Sequence, residues 1–220
     1  MSDSEEEITE KQFKVVFLGD GNVGKTSLIR RYCYDEFSRH YSQTVGVDFY
    51  MKRLTLSKGK EVSIRIFDLG GIQVTGQMLK NYLFNANMIV LVYDITSSSS
   101  FDNLVSWLNI VKNAIDYPTE VVVYGNKNDS EHKRTVGLDR TKRFVAETQL
   151  VHFLVSAKTG ENVSTCLTDL VARHSGVELG RFNGQKRPTM KQSSSISSPK
   201  ERSQKITTTG QTDSTVCSLQ

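Results

Sequence analysis

Short apolar runs alternate with longer stretches of helical periodicity along most of the chain. Six runs have the length of β-strands, at residues 13–18, 47–56, 62–68, 88–94, 121–125 and 152–155. Between them, apolar residues recur every three or four positions, which is typical of helices. Because strands and helices alternate, we predict an α/β fold with a six-stranded, mostly parallel sheet and about five helices on its two faces.

One pair of apolar runs breaks this alternation. The runs at 47–56 and 62–68 are separated only by a short turn around Lys58, Gly59 and Lys60. A parallel connection needs a crossover of a dozen residues or more, whereas an antiparallel hairpin needs only a turn. We therefore predict one antiparallel hairpin at an edge of the sheet.

The charge is unevenly distributed along the 220 residues. Residues 1–12 hold five acidic side chains and one basic one, whereas residues 181–220 hold seven basic and two acidic side chains among 14 Ser and Thr. Such a polar segment buries too little apolar surface to fold. We predict an acidic flexible arm at 1–12, a folded domain at 13–178 and a disordered basic tail at 179–220. The nearly neutral middle lacks the basic face of a nucleic-acid-binding protein.

Several protein classes are not expected from this sequence. No apolar run is long enough to span a membrane, and the acidic start lacks the apolar region of a secretory signal. The three cysteines, Cys33, Cys166 and Cys217, follow neither a disulfide framework nor a zinc-site spacing. We expect a monomer in a reducing compartment.

A glycine-rich segment ending in a lysine and hydroxyl residues follows the first strand. It comprises Gly19, Asp20, Gly21, Asn22, Val23, Gly24, Lys25, Thr26 and Ser27. The spacing fits the phosphate loop G-x-x-x-x-G-K-[ST] between a strand and a helix. Glycines let backbone N–H groups surround a phosphate, Lys25 can reach the β- and γ-phosphates, and the Thr26 hydroxyl can bind Mg²⁺. We predict a magnesium-dependent nucleotide site.

The ends of two later strands carry candidate base-binding residues. The fifth strand ends in Asn126-Lys127-Asn128-Asp129, and the sixth ends in Ser156-Ala157-Lys158. These segments resemble the N-K-x-D and S-A-K motifs of the Ras superfamily. A carboxylate at Asp129 can accept hydrogen bonds from N1–H and the 2-amino group of guanine, a pair that adenine lacks. The resemblance implies the small G-protein fold of the P-loop NTPases, with GTP or GDP as ligand.

The same resemblance implies further contacts to the base. In that superfamily, the residue matching Asn126 braces the loops, and the stem of Lys127 covers the guanine ring. The N–H of Ala157 would meet guanine O6, and Phe37 would flank the base. Ser156 and Lys158 complete the base-binding motif.

The segment 41–49 is similar to switch I of the Rab branch, which carries T-[IV]-G-V-D-F. It starts with Tyr41, and the resemblance implies that this residue lies beside the nucleotide. In Rab proteins the hydroxyl of the residue matching Thr44 binds Mg²⁺, and its N–H meets the γ-phosphate. Asp68 would hold Mg²⁺ through a water molecule, and the Gly71 N–H would contact the γ-phosphate. Loss of that phosphate would release the loop.

Switch II departs from the usual Rab pattern. After the D-x-x-G motif, Ile72 stands where most Rabs have the glutamine that orients the attacking water, and Gln73 follows one position later. Isoleucine cannot hydrogen-bond water, so we expect slow intrinsic hydrolysis unless Gln73 replaces that glutamine. The alternative is a hydrolysis-deficient adaptor that keeps GTP as a structural cofactor. Phe67 also replaces the usual tryptophan of an aromatic cluster that effectors contact.

The chain ends in Cys217-Ser218-Leu219-Gln220, a C-a-a-X box whose glutamine favours farnesylation of Cys217. Most Rabs end in two cysteines, but one divergent Rab that resembles this chain in switch II ends in a single farnesylation box. One prenyl chain gives reversible anchoring. The resemblance thus implies exchange between cytosol and the cytoplasmic face of endosomal or ciliary membranes, a prenyl-binding chaperone, an exchange factor, an activating protein and effectors of vesicle trafficking.

Overall fold

A computed structural model describes residues 11–56, 59–71 and 76–176. These residues form a six-stranded sheet in the order β2-β3-β1-β4-β5-β6. The strands are β1 (Lys11–Leu18), β2 (Val47–Thr55), β3 (Glu61–Leu69), β4 (Met88–Asp94), β5 (Glu120–Asn126) and β6 (Val151–Leu154). Only β2 and β3 pair in antiparallel fashion. The predicted fold class and edge hairpin are therefore confirmed.

The strand bounds differ from the sequence expectation by one or two residues. β1 begins at Lys11 rather than at residue 13, because its pairing with β3 continues to Lys11 opposite Val62. Backbone pairing does not depend on apolar side chains, so the apolar run underestimates the strand.

Six α-helices lie in the described part of the chain, where the sequence indicated about five. They are α1 (Lys25–Tyr34), α2 (Gly76–Leu83), α3 (Ser98–Asp102), α4 (Leu104–Ala114), α5 (Leu138–Thr148) and α6 (Val163–His174). The additional helix is the short α3, which Asn103 separates from α4. Its start is capped by the Ser97 hydroxyl, which accepts a hydrogen bond from the Ser100 N–H. None of the described helices is both long and apolar enough to cross a membrane.

The core lies on both faces of the sheet. Along β4, which is buried over its whole length, Val90 and Val92 belong to the cluster formed with α1 and α6, and Ile89 and Leu91 belong to the opposite cluster. A continuous apolar run suits a strand covered on both faces. The carboxyl ends of β1, β4, β5 and β6 lie at one edge, where the loops with the sequence motifs begin.

Candidate nucleotide-binding site

Loops at the carboxyl edge of the sheet surround a cavity of about 450 Å³, a size typical of small-molecule sites. Most of the sequence-predicted site residues line it. They are Gly21, Asn22, Gly24, Lys25, Thr26, Ser27, Phe37, Tyr41, Thr44, Gly71, Asn126, Lys127, Asp129, Ala157 and Lys158. The phosphate loop, switch I and the two base motifs thus come together from segments far apart in the chain.

Four predicted residues lie behind the cavity wall and contact the residues that line it. The carbonyl of Gly19 accepts a hydrogen bond from Lys25, and the carbonyl of the buried Val23 accepts one from Asn126. Ser156 and Asp68 are also fully buried. Gln73, like Ile72 beside it, lies outside the described residues.

Two glycines of the phosphate loop occupy positions that no other residue tolerates. Gly19 has a φ of +139°, and a Cβ there would lie 2.2 Å from the Val92 carbonyl oxygen. Gly24 has a φ of +93°, and its Cβ would lie 2.4 Å from the amide nitrogen of Asn126. Both the left-handed backbone and the close neighbours therefore require glycine.

Lys25 bends back over the phosphate loop at the start of α1. Its ammonium group donates hydrogen bonds of 2.8 Å to the carbonyl oxygens of Gly19 and Asp20. Burial lowers the pKa of Lys25 to about 8, although the carboxylates of Asp68 and Asp20 oppose that shift. A phosphate in the loop would supply the close negative charge that stabilises this buried cation.

Three oxygen-bearing side chains lie together: Thr26 and Thr44, which line the cavity, and the buried Asp68 behind them. The Thr26 hydroxyl donates to one oxygen of Asp68, and the Thr44 hydroxyl lies 3.0 Å from that of Thr26. The second Asp68 oxygen is buried and has no hydrogen-bond partner in the described structure. Burial raises the pKa of Asp68 despite the opposing hydrogen bond from Thr26 and charge of Lys25. This unpartnered oxygen and the two hydroxyls fit Mg²⁺, which takes oxygen ligands.

The magnesium site would need phosphate and water as additional ligands. In the described ranges, no group of three or more His, Cys, Asp or Glu side chains is placed to hold a metal. Mg²⁺ is usually bound by one or two protein groups together with phosphate oxygens and several waters. The side-chain set around Asp68 is therefore suited to magnesium brought with a nucleotide.

Asp129 also lines the cavity. One of its oxygens accepts from the Ser156 hydroxyl at 2.7 Å, and the other accepts from Ser130 at 3.2 Å and lies 3.3 Å from the Lys158 ammonium. Burial would raise the pKa of Asp129, but the three hydrogen bonds outweigh it and lower that pKa. The carboxyl group is thus ionised at neutral pH and can accept two donors from a base.

Asn126 and Lys127 join three loops around the cavity. The Asn126 amide donates to the Val23 carbonyl at 2.8 Å, and its oxygen accepts from the Ala157 N–H at 3.1 Å. The Lys127 ammonium lies 2.6 Å from an Asp94 carboxylate oxygen and donates to the Asn22 carbonyl at 3.0 Å. Contacts between side chain and backbone thus fix the base loops relative to the phosphate loop.

A family model of the Ras family matches residues 14–175. The chain belongs to the Ras family. It is 36% identical over 203 residues to the Ras-related protein Rab-28 of Caenorhabditis elegans. The aligned segment covers 91% of this chain and 82% of that relative. The predicted resemblance to Rab proteins, and to a divergent one among them, is confirmed. As a Ras-family small GTPase, the chain is a GTP-binding switch, and the family generally uses magnesium and exchange, activating and effector proteins.

In this Ras-family protein, several contacts around the site could not be predicted from the sequence. Asp20 occupies a variable position of the phosphate-loop motif, yet its carboxylate accepts from Asn103 at 2.7 Å and from the Trp107 indole at 2.8 Å. Arg31 contacts the S-A-K loop, more than 120 residues away. No local pattern signals such pairs.

Proposed function

We propose that this Ras-family protein is a Rab-type switch that binds Mg²⁺ with GTP or GDP, hydrolyses GTP slowly and recruits effectors to membranes. One observation carries the proposal: a single cavity is lined both by groups suited to phosphate and magnesium and by an ionised Asp129. Lys25, Thr26 and Thr44 would hold the phosphates and magnesium. Such a site is complementary to a guanine nucleotide along its whole length.

Nucleotide binding is tested most directly on the purified full chain. Mass spectrometry of the retained ligand is expected to find GDP or GTP, and fluorescent GDP is expected to bind far more tightly than fluorescent ADP. Chelation of Mg²⁺ should speed GDP release, since the metal would hold both phosphate and protein. Equal affinity for the two nucleotides would contradict the assignment of Asp129 to guanine.

The expectation of slow hydrolysis rests on the residue after Gly71. A Cβ on Gly71 would lie 2.4 Å from the Gly21 nitrogen, so this backbone lies against the phosphate loop, where the γ-phosphate would be bound. Ile72 follows directly and has no group to orient a water molecule. In this proposal the Gly71 N–H would contact the γ-phosphate.

Single-turnover hydrolysis measures the effect of having Ile72 in place of the usual glutamine. Ile72→Gln is expected to raise the intrinsic rate by roughly tenfold or more, because it restores a group that orients water. If Gln73 substitutes for that group, Gln73→Leu lowers the wild-type rate, whereas the matched change Val74→Leu leaves it unaltered. Equal rates for wild type and Ile72→Gln would refute the proposed cause of slow turnover.

Ile72 also favours a second function, a GTP-bound adaptor without useful turnover. Rab activating proteins can supply catalytic side chains from outside, so the two functions differ in their response to such a partner. A rate that an activating protein raises supports the switch. Retention of GTP with no measurable turnover, with or without the activating protein, supports the adaptor.

Membrane attachment through Cys217 is a separate part of the proposal, and this residue lies outside the described structure. A single farnesyl group gives marginal binding, which the basic residues of the tail would strengthen on an anionic leaflet. Cys217→Ser is expected to abolish the membrane fraction in cells, while Ser218→Ala, which preserves the C-a-a-X box, retains it. An unchanged fraction in Cys217→Ser would refute lipid anchoring.

A partly exposed aromatic cluster is the proposed effector surface. Phe49, 64% exposed, packs edge-on against Phe67 with ring centroids 4.9 Å apart, and Tyr82 follows at 6.5 Å. The Lys14 ammonium lies 4.5 Å from the Phe67 ring centroid. A phenylalanine presents less surface than the usual tryptophan, so different effectors are expected. Proteins captured by the GTP form but not by the GDP form should be lost with Phe49→Ala.

A further inference from the structure

Arg31 lies in the last turn of α1 and contacts two loops at once. Its Nε donates to the Ala157 carbonyl at 2.9 Å, and one terminal nitrogen donates to the Lys158 carbonyl at 3.0 Å. The other terminal nitrogen donates to the Asp35 carbonyl at 2.8 Å. One guanidinium thus joins the S-A-K loop to the residue at the C-terminal end of α1.

The three carbonyl contacts are the important ones. Arg31 also forms an ion pair of 2.9 Å with the Asp35 carboxylate, but that side chain is 90% exposed, and exposed ion pairs contribute little. The Arg31 side chain is only 16% exposed. A planar guanidinium has five N–H donors in fixed directions, which lets it orient several backbone carbonyls at the same time.

Both segments that Arg31 joins lie next to or contain residues that line the cavity. The Ala157 N–H, the proposed donor to guanine O6, belongs to the segment whose carbonyls Arg31 holds. It donates to the Asn126 side-chain oxygen at 3.1 Å and would share its proton with O6 when the base is bound. On the switch I side, Asp35 adopts a left-handed backbone two residues before Phe37, which lines the cavity. Fixing these two backbones fixes the position of the O6 donor relative to the rest of the pocket.

We infer that Arg31 is a positioning residue for guanine recognition, which acts on the O6 contact through the backbone of Ala157 and Lys158. This inference rests on the proposed guanine site. Arg31 itself does not line the cavity, so it touches no nucleotide. Its loss acts mainly on the O6 side of the base, because the Asp129 carboxylate on the 2-amino side is also held by Ser130, which lies outside the S-A-K segment.

Three nucleotides distinguish contacts to O6 from contacts to the 2-amino group. GDP offers both O6 and the 2-amino group, 6-thio-GDP replaces O6 with a weakly accepting sulfur, and IDP lacks the 2-amino group but keeps O6 and N1–H. Equilibrium affinities are measured by competition with fluorescent GDP. The full-length wild type is compared with Arg31→Gln, Arg31→Lys and, as a charge-matched control, the exposed α5 residue Arg143→Gln.

In Arg31→Gln, GDP is expected to bind roughly tenfold more weakly, because charge-assisted bonds to two loop carbonyls are lost. The preference for GDP over 6-thio-GDP falls by roughly threefold or more, while the preference for GDP over IDP changes less, because Ser130 still holds Asp129. Arg31→Lys keeps the charge without the fork and gives intermediate values. Arg143→Gln matches the wild type.

Two results would overturn the inference. One is an unchanged GDP affinity in Arg31→Gln. The other is an equal loss of affinity for GDP, 6-thio-GDP and IDP, which would show general loosening of the fold. If Arg31→Gln does not fold, the same two criteria apply to Arg31→Lys. Failure of the wild type to prefer GDP to ADP would instead refute the proposed guanine site, so the two failures are distinguishable.

Discussion

The indole N–H of Trp107 donates a 2.8 Å hydrogen bond to the carboxylate of Asp20 in the phosphate loop. Trp107 lies in α4, and the same carboxylate accepts a second hydrogen bond from Asn103 just before that helix. The backbone carbonyl of Asp20 in turn accepts from the Lys25 ammonium. Helix α4 thereby holds the phosphate loop, which would surround the phosphates of a bound nucleotide.

Removal of the Asp20 carboxylate should therefore loosen the phosphate loop. Asp20→Ala leaves the donors of Trp107 and Asn103 without their acceptor, and we expect GDP to dissociate roughly tenfold faster, as for the loss of a charge-assisted bond. The rate is measured by displacement of fluorescent GDP. Because Trp107 is the only tryptophan in the sequence, its emission should also differ between the wild type and Asp20→Ala, which removes its hydrogen-bond acceptor. Wild-type dissociation from Asp20→Ala would show that the contact does not support the loop.

The proposed pairing of Asp129 with guanine predicts a change of base preference. In Asp129→Asn, the amide keeps one acceptor and gains donors, so the 2-amino group of guanine loses its partner while the C2 carbonyl of xanthine gains one. We expect the variant to lose at least roughly a hundredfold in GDP affinity and to bind xanthosine diphosphate more tightly than the wild type does.

Competition titrations with the two diphosphates measure this change. Glu147→Gln, on the exposed side of α5, serves as the charge-matched control and should keep the wild-type preference for GDP. An Asp129→Asn protein that retains its preference for guanine would contradict the assigned role of this carboxylate.

The fold could be predicted well from the sequence because each strand has its own local signal. A buried strand such as β4 appears as a continuous apolar run, and the short turn near Gly59 identifies the hairpin. The extent of β1 could not be predicted in the same way, because its first residues are held by backbone pairing with β3 rather than by apolar contacts.

The site could be predicted in its motifs but not in its supporting contacts. The motif around Lys25 is local, since one loop must supply several N–H groups to one phosphate. By contrast, the contacts of Asp20 and Arg31 join segments more than 80 residues apart. They depend on how the helices pack against the sheet, and sequence spacing carries no information about that packing.

The close approach of Gly71 to the phosphate loop predicts a variant that separates the two nucleotide states. In Gly71→Ala, the new Cβ would lie 2.4 Å from the Gly21 nitrogen and 2.6 Å from the Asp20 carbonyl carbon. Backbone atoms cannot move aside cheaply, so switch II must leave this position. We expect GTP affinity to fall by roughly tenfold relative to GDP affinity, since only the γ-phosphate would need the Gly71 N–H.

The control for this variant is Gly137→Ala, where a Cβ would have no atom within 4 Å. It should bind both nucleotides as the wild type does. The measured quantity is the ratio of GTP affinity to GDP affinity in each variant. An unchanged ratio in Gly71→Ala would mean that GTP binding does not need the contact of Gly71 with the phosphate loop.

A half-buried histidine in β6 predicts how stability depends on pH. The Nε2 atom of His152 lies 3.1 Å from the Tyr93 hydroxyl, and the two rings stack with centroids 5.9 Å apart. Burial, with a smaller effect from the positive charge of Arg134, lowers the pKa of His152 from 6.5 to about 4. The unfolded chain therefore takes up a proton at this site before the folded protein does.

Stability from this site is fully present above pH 6.5 and is lost as the pH falls toward 4. Relative to His152→Gln, the wild type should lose up to about 3 kcal/mol of unfolding free energy between pH 7 and pH 4. Urea unfolding at several pH values, with equal Mg²⁺ and GDP throughout, measures this difference. The exposed residue His132 provides the control His132→Gln, which should follow the wild type. Parallel pH profiles for wild type and His152→Gln would show that His152 is not held neutral by the fold.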